Sequence, residues 1–247
     1  MKKRFTMTGM FIMVGTLICV ISVFYGCIFL NGDLVRGGLL YDKWWNVNSG
    51  TAPTADHPLW DTRPDTESNT RTGSDTWRCK ECHGWDYMGV DGAYGSGSHR
   101  TDFDGIYDSR NKGAIELANF LKTGDHDFSA NLSDQDIADV VAFITGGLID
   151  MNLYIDLSTK EANGDATNGE TLYSGSGQCI SCHGTDGKLI DFGDGEGVGD
   201  LAIGNPWETL HKILFGHPGS SPEMPSAVEN GLSTDDQVDI LTYCQTL

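Results

Sequence analysis

The sequence predicts an all-α architecture: two small helical units in tandem, preceded by one N-terminal transmembrane helix. Three observations carry this expectation. An uncharged apolar run, Phe11 to Leu30, follows the basic residues Lys2, Lys3 and Arg4. Two C-x-x-C-H stretches, Cys79-Lys80-Glu81-Cys82-His83 and Cys179-Ile180-Ser181-Cys182-His183, lie 100 residues apart. Each is followed, 53 residues after its first cysteine, by a Leu-Ser pair that leads into an amphipathic helix, at Leu132-Ser133 and Leu232-Ser233. The boundaries expected are an anchor over 1–33, a first unit over 34–150 carrying a loop insertion, a linker over 151–168 and a second unit over 169–247.

The anchor comes first. At about 1.5 Å per residue, the run from Phe11 to Leu30 reaches about 30 Å, the thickness of a bilayer core. The basic residues ahead of it place the N-terminus in the cytoplasm and the rest of the chain outside. A cleaved signal peptide would have a shorter apolar region and an A-x-A-like site. Gly26-Cys27 resembles a lipoprotein cleavage site only faintly, because Ile28-Phe29-Leu30 continue the apolar run. The expectation is a single-pass protein of the cytoplasmic (inner) membrane with its bulk on the periplasmic, outer side.

The first unit opens with Gly37-Gly38-Leu39-Leu40-Tyr41, the start of an amphipathic stretch that runs through Trp44 and Trp45. From Ser49 to Thr76 the chain is rich in Thr, Pro, Asp and Asn and has no sustained period, so it reads as a long loop. Its Trp60, and Trp77 beside the first motif, suggest that it packs over the edge of the group held by that motif, while His57, before Pro58, reads as a structural or exposed histidine. A middle helix is expected from Lys112 through Ile115, Leu117, Phe120 and Leu121 to Gly124. In the last helix, Ser133 is the N-cap and acidic residues fill the first turn. Ile137, Val140, Val141 and Ile144 form its apolar face, and Gly146-Gly147 end it.

The second unit repeats this order. Gly169-Glu170-Thr171-Leu172-Tyr173 echoes the stretch ending at Tyr41, but Tyr173 precedes its motif by six residues and Tyr41 by 38. The difference is the insertion. Asn205-Pro206-Trp207-Glu208 is a strong helix start, with Asn as cap, Pro at the first position and Glu at the third. Ile240, Leu241 and Cys244 carry the apolar face of the last helix, which makes Cys244 a core residue. The acidic, glycine-rich stretch from Asp191 to Asp200 lacks the spacing of a calcium loop and reads as solvated.

C-x-x-C-H is the attachment signature of a c-type haem. Two thiols three positions apart on one turn bond to the two vinyl-derived edges of one porphyrin, and the next histidine reaches the iron. A lone motif is also compatible with a redox dithiol or half a zinc site; two, each followed by Gly, point to two covalently bound haem c groups. Cys79 and Cys82 would hold one, Cys179 and Cys182 the other, with His83 and His183 as proximal ligands. Of the seven cysteines only Cys244 lies outside the motifs and the apolar run, so there is no disulfide framework. Beyond Arg4 the chain carries 13 basic against 35 acidic residues. That balance argues against nucleic acid and for solubility, or for redox protein partners with a basic docking surface.

Helix, motif, middle helix and last helix in both halves resemble class I cytochrome c domains, and the whole resembles a membrane-anchored dihaem cytochrome c over about Gly37 to Leu247. The resemblance implies electron transfer, with His and usually Met as axial ligands. In that family the distal Met lies in the loop before the last helix, often beside Pro, and Pro222-Glu223-Met224-Pro225 matches in the second half. His217 is the rival there. The corresponding loop of the first half, Gly124 to Asn131, holds no Met. His126 follows Cys79 by 47 residues, as Met224 follows Cys179 by 45, so His126 is the expected sixth ligand of the first iron. His99 is its rival, with Met88 and an open position behind it.

Met/His ligation raises haem potential, and two imidazoles leave it lower, so the expectation is a relay from a low-potential first haem to a higher-potential second one. No catalytic residues are assigned. The alternatives are a dihaem enzyme of a peroxidase or thiosulfate-oxidising type, or the electron-entry subunit of a respiratory complex such as a haem-copper oxidase.

Overall fold

A computed structural model describes residues 31–247. The apolar run expected to anchor the chain lies outside the described residues. Among the described residues no helix is long and apolar enough to cross a membrane. The described chain is helical and has no strands, only isolated bridges between Gly89 and Asp104 and between Ile155 and Ala162.

The first half contains α1 (Leu34–Val47), α2 (Cys79–His83), α3 (Ala114–Phe120) and α4 (Asp134–Ala142), the last continuing as a wider π turn over Phe143–Gly147. The second contains α5 (Ala166–Ser174), α6 (Ile180–His183), α7 (Val198–Gly204), α8 (Pro206–Phe215) and α9 (Thr234–Cys244). Both closing helices have the same reciprocal cap, in which the Ser133 or Ser233 hydroxyl accepts from the amide of Asp136 or Asp236. The carboxylates of those aspartates return to the serine amides at 2.9 and 3.0 Å.

The repeat read from the sequence recurs as contacts. In the first half α1 crosses α4; in the second α5 crosses α9. Gly37 lies against the backbone of Asp139, and Gly169 against that of Asp239, so closely that a β-carbon at either glycine would run into the aspartate carbonyl. The amides of Asp33 and Asp165 donate to the carboxylates of Asp139 and Asp239 at 2.8 and 2.6 Å. One turn further on, the hydroxyls of Tyr41 and Tyr173 donate to the carbonyls of Gly84 and Gly184, the residues after each motif, at 2.6 and 2.8 Å. The tyrosines thus tie each opening helix to its own C-x-x-C-H turn, across the insertion in the first half and directly in the second.

The two halves share one continuous core, with α8 as the contact. His211, fully buried, receives the Tyr87 hydroxyl proton at Nδ1 (2.8 Å) and faces the Gly38 carbonyl with Nε2 (3.0 Å). A carbonyl only accepts, so Nε2 carries the proton and the imidazole is neutral; burial lowers its pKa to about 4. Beside it the buried carboxylate of Asp42 on α1 pairs with Arg78 and, at 3.1 Å, with Lys212 on α8. Phe215 and Phe143 pack edge to face with ring centres 5.3 Å apart. The stretch read as a linker is fastened as well, by the buried Met151 and Ile155.

Two local expectations change. The solvated stretch ends at Glu196, because α7 begins at Val198, where the Asp200 carboxylate accepts from the Gly197 amide at 2.9 Å. Of the middle helix, Leu117, Ala118 and the C-cap residue Leu121 are buried, while Ile115 is exposed and Phe120 is exposed apart from the part of its ring that lines the first cavity.

Candidate haem-binding sites

α2 is barely more than one turn, yet it places Cys79, Cys82 and His83 on one wall of a cavity of about 530 Å³. Its size and mostly apolar lining are those of a cofactor pocket. Leu117 and Phe120 of α3, Val140 and Ile144 of α4, and Phe128 supply much of that lining. His126 stands on the wall facing His83, and the two ring centres are 6.1 Å apart. Two imidazoles bound to opposite sides of one metal at about 2.0 Å each would hold their ring centres about 6 Å apart. At 6.1 Å, His83 and His126 are close enough that they would hold one haem iron between them.

The protons are placed to match. Nδ1 of His83 lies 2.7 Å from the carbonyl of Asp104, which can only accept, so Nδ1 is protonated and Nε2 keeps its lone pair. Burial lowers the pKa of His83, partly offset by that carbonyl. His126 is lowered to about 4 by burial, with His83 and then His57 adding to it. Both rings are therefore neutral near pH 7, the form that ligates. Nδ1 of His126 is buried without a hydrogen-bond partner in the structure. Burial also pushes the thiols of Cys79 and Cys82 up to about 12, so they stay protonated. The apolar walls, the facing imidazoles and the protonated thiol pair fit a covalently attached haem.

The other histidines are occupied. His99 lies with Nδ1 3.1 Å from the Glu81 carboxylate and Nε2 2.8 Å from the Arg71 guanidinium. One group only accepts and the other only donates, so both ring nitrogens are used. His57 accepts the Leu59 amide at Nδ1 (3.2 Å), which puts its proton on Nε2, and its ring packs on Trp77 at 4.5 Å. Met88 is not among the residues lining the cavity.

The second motif has the same local form. The carbonyl of His183 accepts from Leu189 at 3.0 Å, as that of His83 accepts from Gly89 at 2.9 Å. Burial lowers the pKa of His183, and its Nδ1 is buried without a partner. Leu189, Ile190 and Phe192 are exposed close to it in the chain, and the Phe192 ring centre is 6.1 Å from that of His183. Exposed apolar side chains beside a motif histidine suit the face of a large apolar group. Met224 is half-buried and lines a different cavity, of about 720 Å³, between α1 and the loop after α8. Neither Cys179, Cys182 nor His183 lines that cavity, so His183 and Met224 are not brought together there as His83 and His126 are in the first. His217, exposed, has Nδ1 2.8 Å from the Lys212 ammonium.

Glu81 was not singled out by sequence reasoning. It sits between the two cysteines of the first motif and is nonetheless buried, at 2 % exposure, with a carboxylate held down to about 2 by His99 and Lys80 against its own desolvation. A charged residue inside a motif is no signal of this on its own.

Residues 72–147 match the family model for cytochrome c. The match runs from just before the first motif to the end of α4 and its π turn, and leaves out α1, which the insertion separates from the motif. No curated protein and no solved structure matches the chain. The first half thus carries a cytochrome c domain, which implies covalently bound haem c and haem-based electron transfer.

Proposed function

We propose that the protein is a dihaem c-type cytochrome that passes electrons between redox partners at the outer face of the cytoplasmic membrane. Its first site is the low-potential end and its second the higher-potential end. The observation that carries this reading is the pair of imidazoles, His83 and His126, 6.1 Å apart across the cavity that also receives Cys79 and Cys82. Haem, when bound, supplies one-electron redox chemistry at its iron.

The chain's own part is attachment, ligation and burial. Cys79 and Cys82 would hold the first haem by thioether bonds, His83 and His126 would fill both axial positions, and the apolar walls keep water away. With both positions filled by protein, the site is suited to carrying electrons and leaves no place for a substrate at the iron, which weighs against a dihaem enzyme at this half. For the second half, support comes from the recurrence of the same caps, helix crossing, tyrosine bond and motif turn 100 residues or so along the chain. Cys179 and Cys182 would hold the second haem and His183 would ligate it. Met224, in the loop between α8 and α9, is its proposed partner and would raise the potential.

The acidic surface suits partners with a basic docking face, and the apolar run Phe11 to Leu30 is the proposed membrane attachment. Whether the chain works alone or as a subunit of a larger respiratory complex is read from what co-migrates with it in mild detergent. Low-temperature electron paramagnetic resonance with magnetic circular dichroism on the oxidised protein tests the ligation. We expect one bis-histidine and one histidine–methionine low-spin centre; a high-spin centre in the intact protein overturns the carrier reading.

A further inference from the structure

The inserted segment of the first half is a wall of the site. His57, Leu59, Thr76 and Trp77 line the first cavity, while Trp60 is buried beneath the segment with the Arg63 guanidinium 3.6 Å from its ring centre. The segment braces itself, since Arg63 donates to the carbonyls of Trp60 and Asn69 at 2.7 and 2.9 Å. What fastens it to the motif is one side chain. The Glu81 carboxylate accepts from Asn69 Nδ2 at 2.8 Å and lies 3.4 Å from the Arg71 guanidinium, both on the insertion. It also meets Lys80 Nζ at 2.8 Å and His99 Nδ1 at 3.1 Å. Asn69 is fully buried and Lys80 nearly so. These donors come from the motif, from the insertion and from the loop that carries His99, and they meet on one carboxylate.

The second motif has nothing comparable. Ser181 stands where Glu81 stands in the first, and both it and Gln178 are exposed. The covering is therefore a property of the first half alone.

We propose that Glu81 is a positioning residue that docks the insertion across the first attachment motif and so closes the first site to small reductants and ligands from solvent. The inference rests on the reading of a haem at Cys79 and Cys82. The physical reason is that the contacts are mutually dependent. If Glu81 loses its charge, the buried Lys80 ammonium is left without its counter-ion and Arg71 and His99 lose theirs, and burying an unpaired charge is costly. The cheaper course is for the insertion to lift and expose them. If Asn69 is cut back, the insertion loses the buried amide hydrogen bond that it makes to the Glu81 carboxylate.

The test uses the full-length holoprotein in detergent and two variants, Glu81→Gln inside the motif and Asn69→Ala outside it. The second leaves the attachment sequence untouched and serves if the first impairs haem loading. Two readouts are taken: the rate of trypsin cleavage after Arg71, and the rate at which dithionite reduces each haem. Cleavage is expected to speed up by at least about tenfold in both variants. Reduction of the first haem should speed up with it, while that of the second stays as it was. Cleavage as slow as in the parent, or faster cleavage with an unchanged rate at the first haem, overturns the proposal. Mass measurement of the parent separates this from the underlying reading: a chain with no haem on Cys79 and Cys82 overturns both before any variant is made.

Discussion

The proposed role of His83 as a ligand depends on the atom behind it. The Asp104 carbonyl, 2.7 Å from Nδ1, fixes the proton there and so leaves the lone pair on Nε2 of a ring that lines the cavity. His126 has no such partner, and only its neutral ring, its position and the shape of the wall recommend it. This makes His126 the informative residue to remove. His126→Ala should leave the haem attached and its first axial position held by His83, with the opposite position vacant. A high-spin ferric signal is expected, and free imidazole should restore the low-spin spectrum. If the variant stays low-spin without added imidazole, another side chain ligates the iron. A second titration belongs to this scale. Asp86 is fully buried and accepts from the amides of Met88 and Ala93 at 3.1 and 2.6 Å, yet desolvation raises its pKa to about 6. A raised carboxylate pKa means that the folded state holds the proton more tightly than the unfolded state, whose value is near 3.9. The contribution of Asp86 to stability is thus most favourable below about pH 4 and declines as pH rises to about 6, by on the order of 2–3 kcal/mol. Denaturant unfolding at several pH values should show that slope in the protein and its loss in Asp86→Asn; parallel curves would count against it.

Elements were legible where local chemistry repeats. The Ser-x-x-Asp caps, the Asn-Pro start of α8 and the i, i+3, i+4 apolar face of α4 are each written within one or two turns, and each element stands where those signals lie. The 53-residue interval from motif to closing helix is the same in both halves and is readable without any structure. α7 was hidden because its first turn is Gly-Val-Gly-Asp, in which one carboxylate returning to the Gly197 amide does the work of a capping side chain. What no local pattern carries is a crossing between distant helices. By propensity alone Gly37 and Gly169 weaken their helices, since glycine costs about 1 kcal/mol there relative to alanine. Their use is to let α1 and α5 rest on the backbones of α4 and α9. Alanine would improve the helix and break the crossing, and the second effect should win, because backbone cannot yield as a side chain can. We expect Gly37→Ala and Gly169→Ala each to destabilise by about 1–3 kcal/mol or more, read as lower denaturation midpoints. Comparable losses in the two variants would show that the crossings are equivalent; a neutral or stabilising effect at either would mean that the crossing there is looser.

At the scale of the whole molecule, the pairing of the halves lay beyond the sequence, because it depends on which face of α8 finds α1. No local pattern marks His211 or Asp42 as contacts between the halves. In the fold one bridges Gly38 and Tyr87, and the other lies buried between Arg78 and Lys212. The two motifs are thereby held in a fixed relation, which a relay needs and a pair of tethered domains lacks. The direction of such a relay depends on the difference between the sites. The first offers two histidines in one cavity, and the second offers a histidine and, if the loop at Met224 closes on it, a thioether. Because a thioether raises haem potential, redox titration of the full chain should resolve two waves, with the lower lost when Cys79 and Cys82 are replaced by alanine. His126→Met gives the first site the ligand set proposed for the second. Its wave should then move up towards the other, while the second wave stays in place. A rise of both waves would mean that the sites interact through α8 more strongly than ligand identity separates them. If neither moves, His126 is not on the iron, and the order of the two potentials has to be sought in burial and charge.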